Sequence, residues 1–94
     1  MMLSPADISA AEAIRFPVRA IGLIAHQVAE LSGVPLDQIM SMTREAQVVM
    51  ARDLVCYVAH REGYSMETIG RCLGGRDHTT VLAAIGREKV RRGE

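Results

Sequence analysis

Five consecutive polar side chains, Arg76, Asp77, His78, Thr79 and Thr80, stand immediately ahead of an apolar-periodic stretch that begins at Val81. Each type can meet a nucleic-acid edge. Arg binds guanine O6 and N7 bidentately, or a phosphate; Asp accepts from cytosine N4; Thr offers a hydroxyl and a methyl. His donates or accepts at a base edge, and the N–H groups of a helix N-terminus favour phosphate. Ahead of the run lie Gly74-Gly75, and ahead of those a short segment that starts at Ser65. A short helix, a glycine turn and a longer helix with a polar start make the layout of a helix-turn-helix, whose second helix enters the major groove by its N-terminal residues. Asp and Thr are also good helix starters. Spacing alone therefore leaves two readings open: a DNA-reading edge, or the first turn of a helix and nothing more.

Other reactive types offer less. Cys56, His60, Cys72 and His78 fall at Cys-x3-His and Cys-x5-His spacing. Structural zinc sites use tighter cysteine pairs, and both cysteines sit beside apolar helix positions, where a thiol serves as a small hydrophobe. No metal site and no cofactor is assigned. His26 reads as a surface or partly buried histidine, and the methionines as core filler. No nucleophile–base pair is visible, and no Gly-x-x-x-x-Gly-Lys-Ser/Thr loop, so neither an enzyme nor a nucleotide partner is expected.

The polar run needs helices to position it. Ser4-Pro5 opens a short segment to about Ile14, with Ser at the N-cap and Pro at the first helical position. Pro17 begins a second helix whose stripe is Ile21, Ile24, Ala25, Val28 and Leu31, with Gly33 placed to end it. Pro35–Met40 reads as one helical turn. After the polar passage Ser41–Glu45, a long helix runs to about Glu62, with Val48, Ala51, Val55, Val58 and Ala59 inward, Leu54 flanking and Gly63 as its cap. Ser65 caps a helix over Met66–Leu73 that turns Ile69 and Leu73 inward. Asp77 caps the last helix, to about Arg91, with Val81, Leu82, Ile85 and the stem of Lys89 on its buried face. The end of that helix, Arg87 to Arg92, reads as solvated and favourable to the dipole, with a phosphate-contacting patch as the alternative. No stretch alternates with period two for long enough to be a strand. The expectation is an all-α small helical bundle: a single domain over 1–94, with an N-terminal extension over 1–16 and the helix-turn-helix over 65–91.

Composition agrees. Ninety-four residues, 49% hydrophobic and 23% charged, make one folded domain. Phe16, Tyr57 and Tyr64 are the only aromatics, so the core must be aliphatic, which favours helices. Two cysteines are too few for a disulfide scaffold. Met1–Arg15 lacks a signal-peptide pattern, and Ala20–Ala29 falls short of the ~20 residues that span a bilayer. A cytoplasmic protein with no membrane partner is expected. Eleven basic residues balance eleven acidic ones, which at face value argues against a polyanion partner. The balance is uneven along the chain, however: residues 1–43 carry −2, residues 44–70 carry −1 and residues 71–94 carry +3.

The run Gly74-Gly75-Arg76-Asp77-His78-Thr79-Thr80-Val81-Leu82-Ala83-Ala84 resembles the signature of the C-terminal DNA-binding domain of the bacterial replication initiator DnaA. Its flanks agree: Ser65-Met66-Glu67-Thr68-Ile69-Gly70 is similar to the family's Ser-x-x-x-Ile-Gly, Ala51–Ala59 to its Ala-Arg-Gln-x-Ala-Met-Tyr-Leu helix, and Ser41–Arg44 to its Ser-x-x-Arg loop. The resemblance runs from about Ile21 to Lys89. It implies a Trp-repressor-like helix-turn-helix fold and double-stranded DNA as partner, at DnaA-box-like sites related to TTATNCACA. It further implies a role in replication initiation or its regulation, a nucleoid location, a monomer, and no ATPase domain in this chain. The DNA-binding set it implies is Arg44, Arg52, Ser65, Arg76, Asp77, His78, Thr79 and Thr80. Within it Arg44 enters the minor groove, where readout depends on A·T content and groove width. Asp77, His78 and Thr79 lie nearest the bases, Arg76 and Thr80 are shared between bases and phosphates, and Arg52 contacts the backbone. The sequence also departs from the pattern. Met42, Thr43, Ala46 and Met50 stand at often-basic places, Glu45 is acidic, Asp53 stands where Gln is common, and Thr68 replaces a Glu that would complete a capping box. Fewer phosphate contacts imply weaker, less salt-sensitive binding. The alternative from another class is a protein-interaction or transcription-regulatory domain that kept the fold with weak DNA affinity.

Overall fold

The central helix of this protein is buried around most of its circumference. In the computed structural model, which describes residues 19–94, that helix is Ala46–Arg61. In chain order the elements are α1 (Ile21–Ser32), α2 (Leu36–Met40), α3 (Ala46–Arg61), α4 (Met66–Cys72) and α5 (His78–Arg91). The described residues contain no strand. The expected segment starting at Ser4-Pro5 falls outside them, as does the Pro17 start of the second expected helix, whose described part is α1.

Helix α3 packs against each of the other four helices. It therefore buries Val48, Ala51, Val55, Cys56, Tyr57 and Ala59, and with them Arg52 and Asp53. That is wider than the single stripe expected, and Val58 is only half-buried. Ile24, Ile39, Val55, Ile69, Leu73 and Val81 complete an aliphatic core drawn from every helix. Each such side chain contributes about 1.5–3 kcal/mol by leaving water.

Two inward assignments fail. Leu31 is 84% exposed, because the fully buried residues of α1 end at Val28 and in its last turn Ala29, not Leu31, packs on the core. Leu82 is 52% exposed. The buried face of α5 is Val81, Ala84, Ile85 and Glu88, and Leu82 lies ~100° round from it at 3.6 residues per turn. Lys89 is exposed for the same reason.

Local signals set the element ends as expected. Gly33 closes α1 in the left-handed conformation, φ +74°, with its N–H on Ala29 O. The Ser65 hydroxyl accepts from Thr68 N at 3.1 Å and donates to Thr68 Oγ1 at 2.8 Å. The Thr68 hydroxyl thus meets the Ser65 hydroxyl, not the Ser65 backbone N–H that a Glu would reach. Asp77 caps α5 by accepting from Thr80 N at 2.8 Å.

Candidate nucleic-acid interface

The turn between α4 and α5 is built on close backbone contact. Gly70 O accepts from Gly75 N at 3.0 Å and from Arg76 N at 2.8 Å. A Cβ on Gly70 would overlap the Arg76 carbonyl and press on Val81 Cγ2. The approach of α4 to the start of α5 therefore requires glycine at 70. Gly74 and Gly75 turn the chain with φ +84° and +82°, a region that L side chains rarely adopt. The chain emerges at Arg76 and enters α5 with Asp77, His78, Thr79 and Thr80 exposed.

Asp77 is already engaged at this edge. Thr79 Oγ1 donates to its Oδ1 at 2.7 Å, and the Thr80 N–H does so at 2.8 Å. The Thr79 hydroxyl and the Thr80 amide hold the Asp77 carboxyl at about 2, well below the usual carboxylate range. It stays ionised as a helix cap, on an exposed residue that precedes the exposed His78.

Arg44 comes to the same side from the loop between α2 and α3. It is exposed. The loop beneath it is stitched by short side-chain bonds, Ser41 Oγ to Gln38 O at 2.6 Å and Thr43 N to Ser41 Oγ at 3.3 Å. Arg44, Arg76 and Thr80 line one groove of about 520 Å3, together with Arg52, Asp53 and Arg87.

The structure turns Arg52 away from the role expected of it. Its guanidinium points inward, with Nε donating to Ile39 O at 2.9 Å and Nη2 to Ser41 O at 2.8 Å. Longer bonds reach Thr43 O at 3.2 Å and Gln38 O at 3.3 Å. Burial lowers its pKa, and the nearby Arg76 charge adds to this. A guanidinium so occupied ties the loop to α3 and has no fork to offer a phosphate. Arg76 is partly engaged in the same way, with Nη1 donating to Leu73 O and Nη2 to Ser41 O, and burial lowers its pKa too. The Ser41 carbonyl thus accepts from two arginines, one on α3 and one at the helix-turn-helix turn. Ser65 is exposed, with its hydroxyl in the α4 cap.

Sequence reasoning missed Asp53. Its carboxylate is 1% exposed and takes Arg87 bidentately, Nε–Oδ2 and Nη2–Oδ1 both at 2.9 Å. Arg91 Nη1 adds a bond to Oδ2 at 3.0 Å. Glu88 is bonded by Arg91 and by Arg92 (2.9 Å), and the Arg92 guanidinium stacks on Tyr57 at 4.4 Å. The helix end is solvated as expected, with Arg87, Arg91 and Arg92 exposed, but each of these arginines is ion-paired with a buried carboxylate. The Glu88 pairs follow from i,i+3 and i,i+4 spacing, but no local pattern could have revealed the Asp53 contacts, whose partners lie 34 and 38 residues apart.

The cysteines separate. Cys56 is buried, and burial with the neighbouring Asp53 charge pushes its thiol up to about 12. Cys72 is exposed, against the expectation that it packs inward. Among the described residues no three His, Cys, Asp or Glu side chains gather as a metal set, and no helix is long and apolar enough to cross a membrane.

Residues 21–87 match the family described as bacterial dnaA protein helix-turn-helix. The chain belongs to that family. Among similar curated proteins, the chromosomal replication initiator protein DnaA of Thermomicrobium roseum is 36% identical over 75 residues, covering 77% of this chain and 16% of the relative. The DnaA of Streptococcus agalactiae serotype Ia is 37% identical over 89 residues, 85% of this chain and 20% of the relative. That of Streptococcus mutans is 39% identical over 67 residues, 70% and 15%. The chain thus corresponds to a fifth or less of these DnaA proteins. No solved structure gives a significant match. The matched unit is a helix-turn-helix, a DNA-binding domain type and not a catalytic one, and the all-helical architecture with the α4–turn–α5 arrangement accords with it.

Proposed function

We propose that this DnaA-family chain binds double-stranded DNA sequence-specifically, at sites like the DnaA box, in replication initiation or its regulation. The observation that carries the reading is the convergence of two elements on one face: the exposed polar edge of α5, Asp77–Thr80, and the Arg44 loop, which shares a groove with Arg76 and Thr80. In this reading α5 enters the major groove by its first turn. His78 and Thr79 meet base edges, the exposed Asp77 carboxylate accepts from a cytosine amine, and Thr80 and Arg76 serve bases and phosphates. Ser65, at the start of α4, lies against the DNA backbone. Arg44 reaches the neighbouring minor groove. Arg52 acts from behind, as the clamp that sets the height of the Arg44 loop.

The chain acts without hydrolysing ATP, since its sequence carries no phosphate-binding loop, and as a monomer, the state suited to an asymmetric site. Its place is the nucleoid. With Arg87, Arg91 and Arg92 internally paired, recognition leans on base contacts more than on phosphates. Titration of a fluorescent DnaA-box duplex against a scrambled duplex, with size-exclusion chromatography of the complex, tests the reading. Preference for the box is expected, and equal affinity for the two duplexes refutes sequence specificity.

A second reading rests on a different observation. Leu31, Met42 and Val90 are 84%, 75% and 76% exposed, and the paired cations leave less charge for DNA. These features favour a protein-interaction role for the same fold. Retention of a protein partner with no salt-dependent retention on DNA supports that role over the first.

A further inference from the structure

We propose that Asp53 is a built-in substitute for a DNA phosphate, which withholds Arg87 from the nucleic acid and sets the strength and salt dependence of binding. The inference rests on the DNA-binding reading above and deepens it. Three observations carry it. The Asp53 carboxylate is buried on α3, yet its partner Arg87 on α5 keeps a side chain 49% exposed. The contact is a two-bond fork, Nε–Oδ2 and Nη2–Oδ1 at 2.9 Å each, the same geometry in which a guanidinium binds a phosphate. Arg87 also lines the groove shared by Arg44, Arg76 and Thr80, so its charge lies where a DNA backbone following those residues would pass.

A carboxylate and a phosphate compete for one fork, and the carboxylate is present at fixed, very high local concentration. Arg91 also donates to Oδ2, at 3.0 Å, which helps to fix the carboxylate that Arg87 grips. The buried Asp53 charge is compensated by two arginines, as a buried carboxylate requires. The consequence is a cation in the DNA groove that releases no counterion when DNA binds.

The test is Asp53→Asn, which keeps the shape and removes the charge. Affinity for the box duplex and for a scrambled duplex is measured between 50 and 200 mM NaCl, with folding confirmed by circular dichroism. Freeing one arginine for a phosphate steepens the salt slope by about 0.9. Over this fourfold rise in salt, Asp53→Asn then loses about 3.5-fold more affinity than wild type. It binds both duplexes more tightly at low salt, with an unchanged ratio between them. Adding Arg87→Gln removes the gain. Arg87→Gln alone leaves the wild-type slope unchanged, a measurement that stands even if Asp53→Asn does not fold. Wild-type binding with an unaltered slope in folded Asp53→Asn overturns the proposal alone, as does a slope flattened by about one unit in Arg87→Gln. Absence of salt-sensitive retention for every variant overturns the DNA-binding reading and the proposal with it.

Discussion

Removing the Arg52 side chain separates the two roles this residue could have. As a phosphate contact it would be a surface group, and its loss would change stability by no more than about 0.5 kcal/mol. The structure assigns it to the loop instead. Two of its bonds are short, to Ile39 O at 2.9 Å and Ser41 O at 2.8 Å. A hydrogen bond to a charged group contributes about 1.5 kcal/mol or more net, so the two together give about 3 kcal/mol. The bonds to Thr43 O and Gln38 O, at 3.2 and 3.3 Å, are long, and those carbonyls can turn to water, so they add little. Removing the charge also relieves its burial and its repulsion by Arg76, which offsets lost packing of the stem. Arg52→Ala is therefore expected to cost about 3 kcal/mol, a large share of the ~4–11 kcal/mol typical of a folded unit of this size. Its Tm falls by about 12–24 °C, with no DNA present. Arg52→Lys recovers little, because an ammonium cannot span carbonyls that a planar fork reaches together. Thermal and urea unfolding followed by circular dichroism measure both variants. A loss under about 0.5 kcal/mol in Arg52→Ala, with DNA affinity reduced and restored by Lys, refutes the clamp.

Four further outcomes follow from the same geometry. Arg44→Ala leaves the unfolding midpoint unchanged, while weakening discrimination at the A·T-rich end of the box by about 1–3 kcal/mol in competition titrations; His78→Ala does the same at the other end. Gly70→Ala forces its methyl into the Arg76 carbonyl and costs about 2 kcal/mol or more, with displaced amide resonances at Arg76 and Asp77 in an NMR spectrum. Asp77, held at about 2 by Thr79 and Thr80, has a folded pKa below its unfolded one, so its capping contribution is complete above about pH 4 and is lost as pH falls towards 2; Asp77→Asn should flatten stability over that window, and an unchanged acid limb in its unfolding curve contradicts the cap. In the native protein a disulfide reagent should modify Cys72 rapidly and leave Cys56, whose thiol burial raises to about 12, unmodified until unfolding; two fast thiols would refute that burial.

Much of the helix-turn-helix was readable in the chain itself. Ser65 and Asp77 cap their helices, Gly33 closes α1, and Ile69, Leu73, Val81 and Ile85 are buried. The caps depend on groups within about four residues, so the sequence carries the whole interaction, and the buried positions follow the apolar period of their helices. The inward assignments that failed, Leu31, Leu82 and Cys72, are positions where periodicity gives a face but not its width or the extent of the neighbour covering it. Gly70 stood in the matched motif, but its reason, the Arg76 carbonyl against its Cα, required α4 and α5 to be packed.

By itself, then, the sequence determined the helices, their caps, the turn and the polar edge that begins α5, because caps, glycine turns and a 3.6-residue period are local chemistry. Tertiary structure alone decided which charges remain for a partner. Of the basic residues in 71–94, Arg87 and Arg91 are held by Asp53 of α3, and Arg52 is spent on four carbonyls of the loop region. A formal charge is a property of a residue, but its availability depends on what another helix places within 3 Å of it, and that distance is fixed only when α3 and α5 pack together.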